Sequence, residues 1–156
     1  MKIIIVGCGK IGVTVLRSLI NEGHDVVAID HNPDVIEEIS TVYDAMYVVG
    51  NGADSDILDE AGAASAELVV AVTGHDELNM LSCFLAKKMG AKNTIARIRT
   101  PEYNDKSLGF MKEQLEISMA LTPDSLAADE LYKMLKLPGA LNIDTFSRRS
   151  FEMIEL

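Results

Sequence analysis

Residues 2–12 read Lys2-Ile3-Ile4-Ile5-Val6-Gly7-Cys8-Gly9-Lys10-Ile11-Gly12, an apolar run that enters a glycine-rich turn. The three glycines form the pattern G-x-G-x-x-G, which indicates dinucleotide binding when it joins a strand to a helix. A β-branched run precedes the turn and apolar residues at helical spacing follow it, so this context is met. We predict that Gly7 permits the tight turn, that Gly9 lets a pyrophosphate approach the backbone, and that Gly12 lets the helix pack on the strand. The start of the helix would present free N–H groups and the positive end of its dipole to the phosphates.

Outward from this stretch, apolar runs alternate with helical patterns along the chain. We predict strands at residues 3–6, 26–29, 46–49, 68–72, 94–98 and 117–121, with helices between them. Such alternation is typical of a parallel sheet whose crossover connections are helices. The sequence therefore predicts an α/β fold of the Rossmann type, a doubly wound, mostly parallel, six-stranded sheet with helices on both faces.

The pattern changes near the end of the chain. A helix predicted at residues 123–137 would complete a nucleotide-binding domain of residues 1–137. Pro138-Gly139 then interrupts the pattern and suits a hinge. Residues 142–156 read as strand-like without a partner in the sequence, so we expect residues 138–156 to be a hinge and the start of a truncated C-terminal segment.

Composition excludes several classes of protein. The 156 residues carry 24 acidic and 14 basic side chains, a net charge of −10, which argues against general nucleic-acid binding. Two cysteines do not suggest a disulfide scaffold, and no apolar run resembles a signal peptide or a membrane span, so we expect a cytoplasmic protein. The three histidines and two cysteines do not share a metal-ligand spacing, and no metal site is predicted.

Asp30 is the expected ribose-binding residue. It lies 18 residues after Gly12, at the end of the second predicted strand, close to the spacing of about 20 that is typical of dinucleotide-binding folds. Its carboxylate would accept hydrogen bonds from the adenosine ribose and would repel a 2′-phosphate. His31 and Asn32 follow it rather than an arginine, which favours NAD over NADP. The alternative is an exposed aspartate at the end of a strand.

Two basic residues are candidates for phosphate binding. Lys10 lies inside the glycine-rich turn and can act as a point charge on phosphate, although it can also be an ordinary exposed lysine. Arg97 ends the fifth predicted strand, where it can reach phosphate or a partner subunit, or form a salt bridge within this acidic protein.

Two loops follow strands at the same predicted sheet edge. Asn51, Gly52 and Ala53 follow the third strand and can form a wall for adenine, or an ordinary turn with a helix cap. After the fourth strand come five residues that can line the far half of a dinucleotide: Thr73, Gly74, Asp76, Glu77 and Asn79. Alternatively, Thr73 or Asp76 only caps the next helix.

The candidate nucleotide-binding residues are therefore Gly7, Cys8, Gly9, Lys10, Ile11, Gly12, Asp30, His31, Asn51, Gly52, Ala53, Thr73, Gly74, Asn79 and Arg97. We interpret the Cys8 side chain as small filler in a tight turn rather than a redox sensor. No catalytic residue is predicted, because the one Tyr-x-x-x-Lys pair, Tyr132 and Lys136, falls in a late helix beyond the expected site.

The ordered set of motifs resembles a known family. The set consists of the glycine-rich turn, Val27-Ala28-Ile29-Asp30, Gly50-Asn51-Gly52, Ala71-Val72-Thr73 and Asp76-Glu77-Leu78-Asn79. Over about residues 1–137 this set is similar to the N-terminal nucleotide-binding domain of Trk potassium-uptake regulators, called TrkA-N, KTN or RCK. The asparagine-glycine loop and the aspartate-glutamate-x-asparagine string are its most specific parts.

The resemblance implies a regulatory subunit in the cytoplasm, held at the inner face of the cell membrane by an integral potassium transporter. Such domains bind NAD(H), or ATP and ADP, and change the shape of their assembly to gate the membrane partner. Relatives form homodimers and often rings, and in several a basic residue at the position of Lys10 meets nucleotide phosphates. The family normally continues into a ligand-binding C-terminal domain.

Two other classes of protein remain open at this point. One is an NAD-dependent oxidoreductase, which would need a substrate pocket and a proton donor facing the nicotinamide. The other is an adenine-nucleotide sensor module of a different system. We expect the chain not to be an enzyme. A change in nicotinamide absorbance that depends on the protein and a substrate would favour the oxidoreductase. Copurification of the full-length protein with a membrane transporter would favour the regulator over the sensor.

Overall fold

Strands and helices alternate through the first 121 residues. The computed structural model describes residues 1–100, 105–122, 142–146 and 151–155. The elements in chain order are β1 (Lys2–Val6), α1 (Lys10–Asn21), β2 (Asp25–Asp30), α2 (Pro33–Ser40), β3 (Met46–Val49), α3 (Ser55–Glu60), a 3-10 turn (Ala63–Ser65), β4 (Leu68–Ala71), α4 (Asp76–Met89), β5 (Asn93–Arg97), α5 (Asp105–Gln114) and β6 (Met119–Leu121).

The six strands form one parallel sheet in the order β3-β2-β1-β4-β5-β6, which confirms the predicted fold. The chain adds β2 and β3 on one side of β1 and then returns to place β4 on the other side. Val6 at the end of β1 is in register with Ile29 of β2 and with Ala71 of β4. The carboxyl ends of these three strands therefore lie side by side where the strand order reverses.

Helices cover both faces of the sheet. Successive side chains of β1 point to opposite faces, and all of them are apolar from Ile3 to Val6, so both faces need cover. Ile3 and Ile5 pack with Leu16 of α1 and with α2 on one face. Ile4 and Val6 pack on the other face with residues of α3 and α4. The four β1 side chains are at most 1% exposed, and burial of each contributes about 1.5–3 kcal/mol. The sheet is thus the centre of two apolar layers and holds its strand ends rigidly.

The predicted element boundaries differ from the observed ones near residues 100–121. The helix predicted from residue 102 is observed from Asp105, and residues 102–104 lie outside the described ranges. The sixth strand is shorter than predicted and begins at Met119. The predicted helix at residues 123–137, the domain boundary at residue 137 and the hinge at Pro138-Gly139 also lie outside those ranges.

Residues 142–155 contain two strands rather than one. β7 (Asn142–Phe146) and β8 (Phe151–Glu155) form an antiparallel pair in which Ile143 is in register with Ile154. They belong to a second unit that begins at Thr122. The prediction of a strand without a partner is therefore wrong, because the segment supplies its own partner strand. The polar sequence Ser-Arg-Arg-Ser at 147–150, which separates two apolar alternations, was the available signal.

Within the described ranges, no helix combines the length and apolar character needed to cross a membrane.

Candidate functional site

A cavity of about 540 Å³ opens where the strand order reverses, at the carboxyl ends of β1, β2 and β4. Its volume lies within the range of about 300–1,000 Å³ that is typical of small-molecule sites. Open α/β sheets bind ligands at this position. The lining residues come from the ends of these strands, from the loops after β1, β2, β3 and β4, and from the first turns of α2 and α4: Val6, Gly7, Cys8, Gly9, Ile29, Asp30, His31, Asn32, Val35, Gly50, Asn51, Gly52, Val72, Thr73, Gly74, His75 and Leu78.

The glycines of the first turn have the separate geometries that the sequence predicts. Gly7 has φ of +98°, a conformation that side chains rarely adopt, and its N–H donates to Ile29 O at 2.8 Å. A Cβ on Gly12 would lie 1.9 Å from Gly7 O, so α1 can approach β1 only because Gly12 has no side chain. A Cβ on Gly9 would meet nothing within 4 Å. The space over Gly9 is therefore open to a ligand.

The amino end of α1 suits an anion. Gly9 is its N-cap residue and supplies no side-chain acceptor, and the first turn contains no acidic residue. Lys10 is the first residue of the helix and is exposed. N–H groups at the start of a helix normally donate to a side-chain oxygen of a capping Ser, Thr, Asp or Asn. A lysine at this end is mildly unfavourable with the positive end of the helix dipole. A bound phosphate would satisfy the N–H groups and compensate the lysine charge.

Asp30 joins the end of β2 to the glycine-rich turn. Its Oδ2 accepts a hydrogen bond from Cys8 N at 2.7 Å, and its Oδ1 accepts from Asn32 N at 2.9 Å. His31 Nδ1 lies 3.2 Å from Oδ1, and the carboxylate side chain is 11% exposed. Because each carboxylate oxygen can accept more than one hydrogen bond, capacity remains for ribose hydroxyls. The sequence predicted the ribose role but did not indicate that Asp30 also holds the turn.

The Cys8 side chain is packed rather than reactive. It is 4% exposed, and its Sγ donates to Ile29 O at 3.7 Å. Burial, and secondarily the charge of Asp30, raise the pKa of the Cys8 thiol to about 12. The group is therefore a neutral thiol near neutral pH, in agreement with its interpretation as filler.

The loop after β3 lies directly on the end of β1. A Cβ on Gly52 would be 2.1 Å from Val6 Cγ1, so only glycine permits this approach. Asn51 Oδ1 accepts from Ala53 N at 3.0 Å and shapes the turn. Asn51 and Gly52 line the cavity as predicted, whereas Ala53 does not.

Asn79 does not reach the cavity. It is fully buried, and its Oδ1 accepts from Thr73 N at 2.8 Å and from Thr73 Oγ1 at 2.7 Å. Its Nδ2 donates to Thr73 O at 3.3 Å and to Arg97 O at 2.9 Å. All hydrogen-bonding positions of this amide are occupied within the protein, so the prediction that Asn79 contacts nucleotide is corrected: it holds the cavity wall.

A model of the TrkA-N domain family matches residues 3–117. The chain belongs to the TrkA-N family. It is 35% identical over 156 residues to the Trk system potassium uptake protein TrkA of Vibrio alginolyticus, covering 99% of this chain and 34% of that protein. It is 39% identical over 156 residues to the TrkA homolog of Archaeoglobus fulgidus, covering 100% of this chain and 35% of that protein. The chain thus spans about a third of the length of these relatives.

Solved structures share the fold at low sequence identity. The TrkA-N domain of the Escherichia coli inner membrane protein ybaL has a TM-score of 0.75 at 17% identity, covering 86% of this chain and 96% of that one. The GsuK channel bound to NAD has a TM-score of 0.65 at 20% identity, covering 78% of this chain and 21% of that one. The AMP-bound Kef CTD of Shewanella denitrificans has a TM-score of 0.66 at 23% identity, covering 90% and 84%. The E. coli reductase ChuY also shares the fold, with a TM-score of 0.56 at 17% identity, covering 84% of this chain and 61% of that one.

The TrkA-N cavity brings together most of the residues predicted from its sequence. The predicted residues that line it are Gly7, Cys8, Gly9, Asp30, His31, Asn51, Gly52, Thr73 and Gly74. Those that do not line it are Lys10, Ile11, Gly12, Ala53, Asn79 and Arg97. Arg97 is half-buried, and its Nε has no hydrogen-bond partner in the part of the chain that the structure describes.

The sequence analysis did not identify Val35, His75 or Leu78 as part of this TrkA-N site. Val35 and Leu78 are each the third residue of a helix, α2 and α4, that begins at the carboxyl edge of the sheet. Helical side chains lean toward the amino end of their helix, so an apolar residue there extends over the cavity. That position was the available signal.

His75, and not Thr73 or Asp76, is the N-cap residue of α4. The predicted capping roles are therefore wrong. The Asp76 carboxylate instead accepts hydrogen bonds from Arg99 N, Thr100 N and Thr100 Oγ1, which lie after β5.

Proposed function

We propose that this chain is the nucleotide-binding part of a regulator of Trk-type potassium uptake, and that it gates a membrane transporter through ligand-dependent change of conformation. The observation that carries the proposal is the cavity at the reversal of strand order. There the uncapped start of α1 follows β1, and the Asp30 carboxylate ends the neighbouring strand β2. Membership of the TrkA-N family and the names of the two relatives support the potassium-uptake part.

The proposed ligand is NAD(H), with ATP or ADP as the alternatives. The GsuK structure is described as bound to NAD and the Kef structure as bound to AMP. These ligands share adenosine and a phosphate. In this chain the ribose would meet Asp30, and the phosphate would lie over Gly9 at the start of α1, where the space is open.

The proposed regulator acts as a homodimer, which can assemble further into a ring, in the cytoplasm at the inner face of the membrane. Its partner would be the integral potassium transporter. We propose no catalytic role. The fold is shared with a reductase, so the oxidoreductase is the alternative to test, and it requires protein-dependent oxidation of NADH by a carbonyl substrate.

Calorimetry with NADH and NADPH tests the ligand assignment. We expect the unmodified chain to bind NADH at least about tenfold more tightly, a difference of about 1.4 kcal/mol. The reason is that the Asp30 carboxylate repels a 2′-phosphate. Asp30→Asn removes the charge and should reduce this preference. Asp25→Asn, at the other end of β2 and exposed, is the matched control and should leave the preference unchanged. Equal affinity of the unmodified chain for NADPH would show that the assignment is wrong.

A second variant tests the phosphate role of Lys10. Lys10→Ala should weaken the binding of ADP by about 1 kcal/mol or more, because a charge-assisted contact to phosphate is lost. The binding of adenosine should be nearly unaffected. Arg17→Ala, an exposed cation further along α1, is the control. Equal losses for ADP and adenosine would make Lys10 a structural residue.

A further inference from the structure

The start of α4 connects two segments that are distant in sequence. One is the cavity wall, Thr73 to His75, which follows β4. The other is the exit of β5, residues 97–100, which does not line the cavity. Two buried polar side chains on α4, Asp76 at 3% exposure and Asn79 at 0%, lie between them.

Asn79 ties the wall to the last residue of β5. It binds both the N–H and the C=O of Thr73, together with the Thr73 hydroxyl. Its remaining donor binds Arg97 O at 2.9 Å. A shift of Thr73 relative to Arg97 would leave at least one buried polar group without its partner, so this connection favours a single arrangement.

Asp76 ties the same helix to Arg99 and Thr100, the second and third residues after β5. Its Oδ2 accepts from Arg99 N at 2.8 Å, from Thr100 N at 2.7 Å and from Thr100 Oγ1 at 2.6 Å. Burial alone would raise the pKa of Asp76, but the Thr100 hydroxyl, these two N–H groups and the Arg99 charge together lower it. The carboxylate is therefore ionised at neutral pH and holds the β5 exit by charge-assisted hydrogen bonds.

Arg99 completes the connection from the opposite side. Its Nη2 donates to Gly74 O in the cavity wall, and its Nε lies 3.8 Å from Asp76 Oδ1. The wall is thus bound to the β5 exit through the buried side chains of Asp76 and Asn79 and through the partly exposed side chain of Arg99.

We propose that Asp76 and Asn79 are positioning residues that couple the nucleotide cavity to the exit of β5. The inference rests on the proposed nucleotide binding and adds a route by which the ligand acts on the rest of the chain. A ligand against Thr73 and Gly74 restrains the wall, and through Asn79 and Asp76 it restrains Arg99 and Thr100. Because coupling is reciprocal, a change at Thr100 alters ligand affinity although Thr100 does not touch the cavity.

Thr100→Val and Thr100→Ser form the test, with NADH as the probe and the 156-residue chain as the protein. Valine removes the hydroxyl donor to Asp76, and serine retains it. We expect Thr100→Val to raise the Kd for NADH roughly three- to tenfold, in the range found for coupled positions that do not contact ligand. Thr100→Ser should bind within about twofold of the unmodified chain.

Ile3→Val controls for stability, because Ile3 is buried at the opposite end of the sheet. It should lower the unfolding temperature without changing the Kd. Hydrogen exchange supplies a second readout: saturating NADH should slow exchange of the Arg99 and Thr100 amides more than that of Lys92 and Asn93, at the other end of β5. This local difference separates coupling from general stabilisation by ligand.

Each outcome decides the proposal. If the unmodified chain binds NADH but Thr100→Val binds equally well, the coupling is overturned and nucleotide binding stands. Equal loss of affinity in Thr100→Val, Thr100→Ser and Ile3→Val, or equal slowing at both ends of β5, also overturns it. If the unmodified chain binds neither NADH nor ADP, the proposed function fails and the coupling fails with it.

Discussion

Gly9, the N-cap residue of α1, and Gly12, in the first turn of that helix, have opposite surroundings, so a single added methyl group should affect them differently. Gly9→Ala should leave the free energy of unfolding within about 1 kcal/mol, because the φ of −70° suits alanine and no atom lies within 4 Å of the new Cβ. The substitution should lower the affinity for NADH about tenfold or more, since that Cβ occupies the space over the α1 amides. Calorimetry and urea unfolding measure the two effects.

Gly12→Ala is the matched variant with the opposite result. Its Cβ would lie 1.9 Å from Gly7 O, so α1 must move from the sheet at a cost of about 3 kcal/mol. The loss of stability should exceed that of Gly9→Ala clearly in the same urea experiment. Similar stabilities for the two variants would contradict the observed packing of α1 on β1.

The cysteines should be inert in the folded chain. Burial raises the pKa of Cys8 and of Cys83 to about 12, so almost no thiolate is present at pH 8. A thiol-specific reagent such as a disulfide dye should label both only on unfolding, at a rate that denaturant increases. Rapid stoichiometric labelling of the native chain would show that one thiol is accessible and ionised.

At the scale of elements, the start of α4 is held by an ionised buried side chain. Asp76→Asn should destabilise the chain by about 2–4 kcal/mol at pH 7, because the three donors to Oδ2 lose a charged acceptor and the amide nitrogen, in the place of Oδ1, would face the Arg99 guanidinium. Asp34→Asn is the control, since Asp34 is an exposed first-turn aspartate of α2. It should cost under about 1 kcal/mol.

The effect of Asp76 should depend on pH in one direction. Its folded pKa lies below the ordinary 3.8, so the carboxylate contributes its full stability above that value. As pH falls through the folded pKa the contribution disappears. Urea unfolding between pH 6 and pH 3 should therefore show the difference between Asp76→Asn and the unmodified chain narrowing only at the acid end. A constant difference over this range would mean that the Asp76 charge is not what holds the β5 exit.

At the scale of the whole molecule, regulation requires that ligands distinguish two states of the assembly. If the proposed function holds, NADH, NAD⁺, ATP and ADP should differ in their effect on the shape of the proposed homodimer and on potassium flux. Typical coupling is about 1–3 kcal/mol, which is a several-fold change. Two measurements test this: solution scattering on the proposed homodimer, and potassium flux through the proposed transporter partner in the presence of the full-length protein. Unchanged shape and flux with all four ligands at saturation would reduce the domain to a passive binder.

The sheet and the first half of the cavity could be predicted from sequence because their signals are local. The side chains from Ile3 to Val6 alternate between the two faces of one buried strand. The glycines from Gly7 to Gly12 fall in one strand-to-helix junction, and Asp30 ends the next strand. Each of these features depends on residues within a few positions of one another, where apolar periodicity and glycine conformation act directly. The same local patterns predicted that helices would cover both faces of the sheet.

What only the tertiary structure decided is which distant polar groups meet. Asp30 binds Cys8 N across 22 positions, Asn79 binds Arg97 O across 18, and Asp76 binds Thr100 across 24. No periodicity encodes these pairs, because they arise only after parallel pairing brings the ends of β1, β2, β4 and β5 to one edge of the sheet. The sequence alone therefore determined the strands, the turn and the acidic strand end. Parallel packing decided that Asn79 and Asp76 support the cavity wall rather than line it, since their hydrogen-bonding groups are taken by backbone that lies next to them only in the folded sheet.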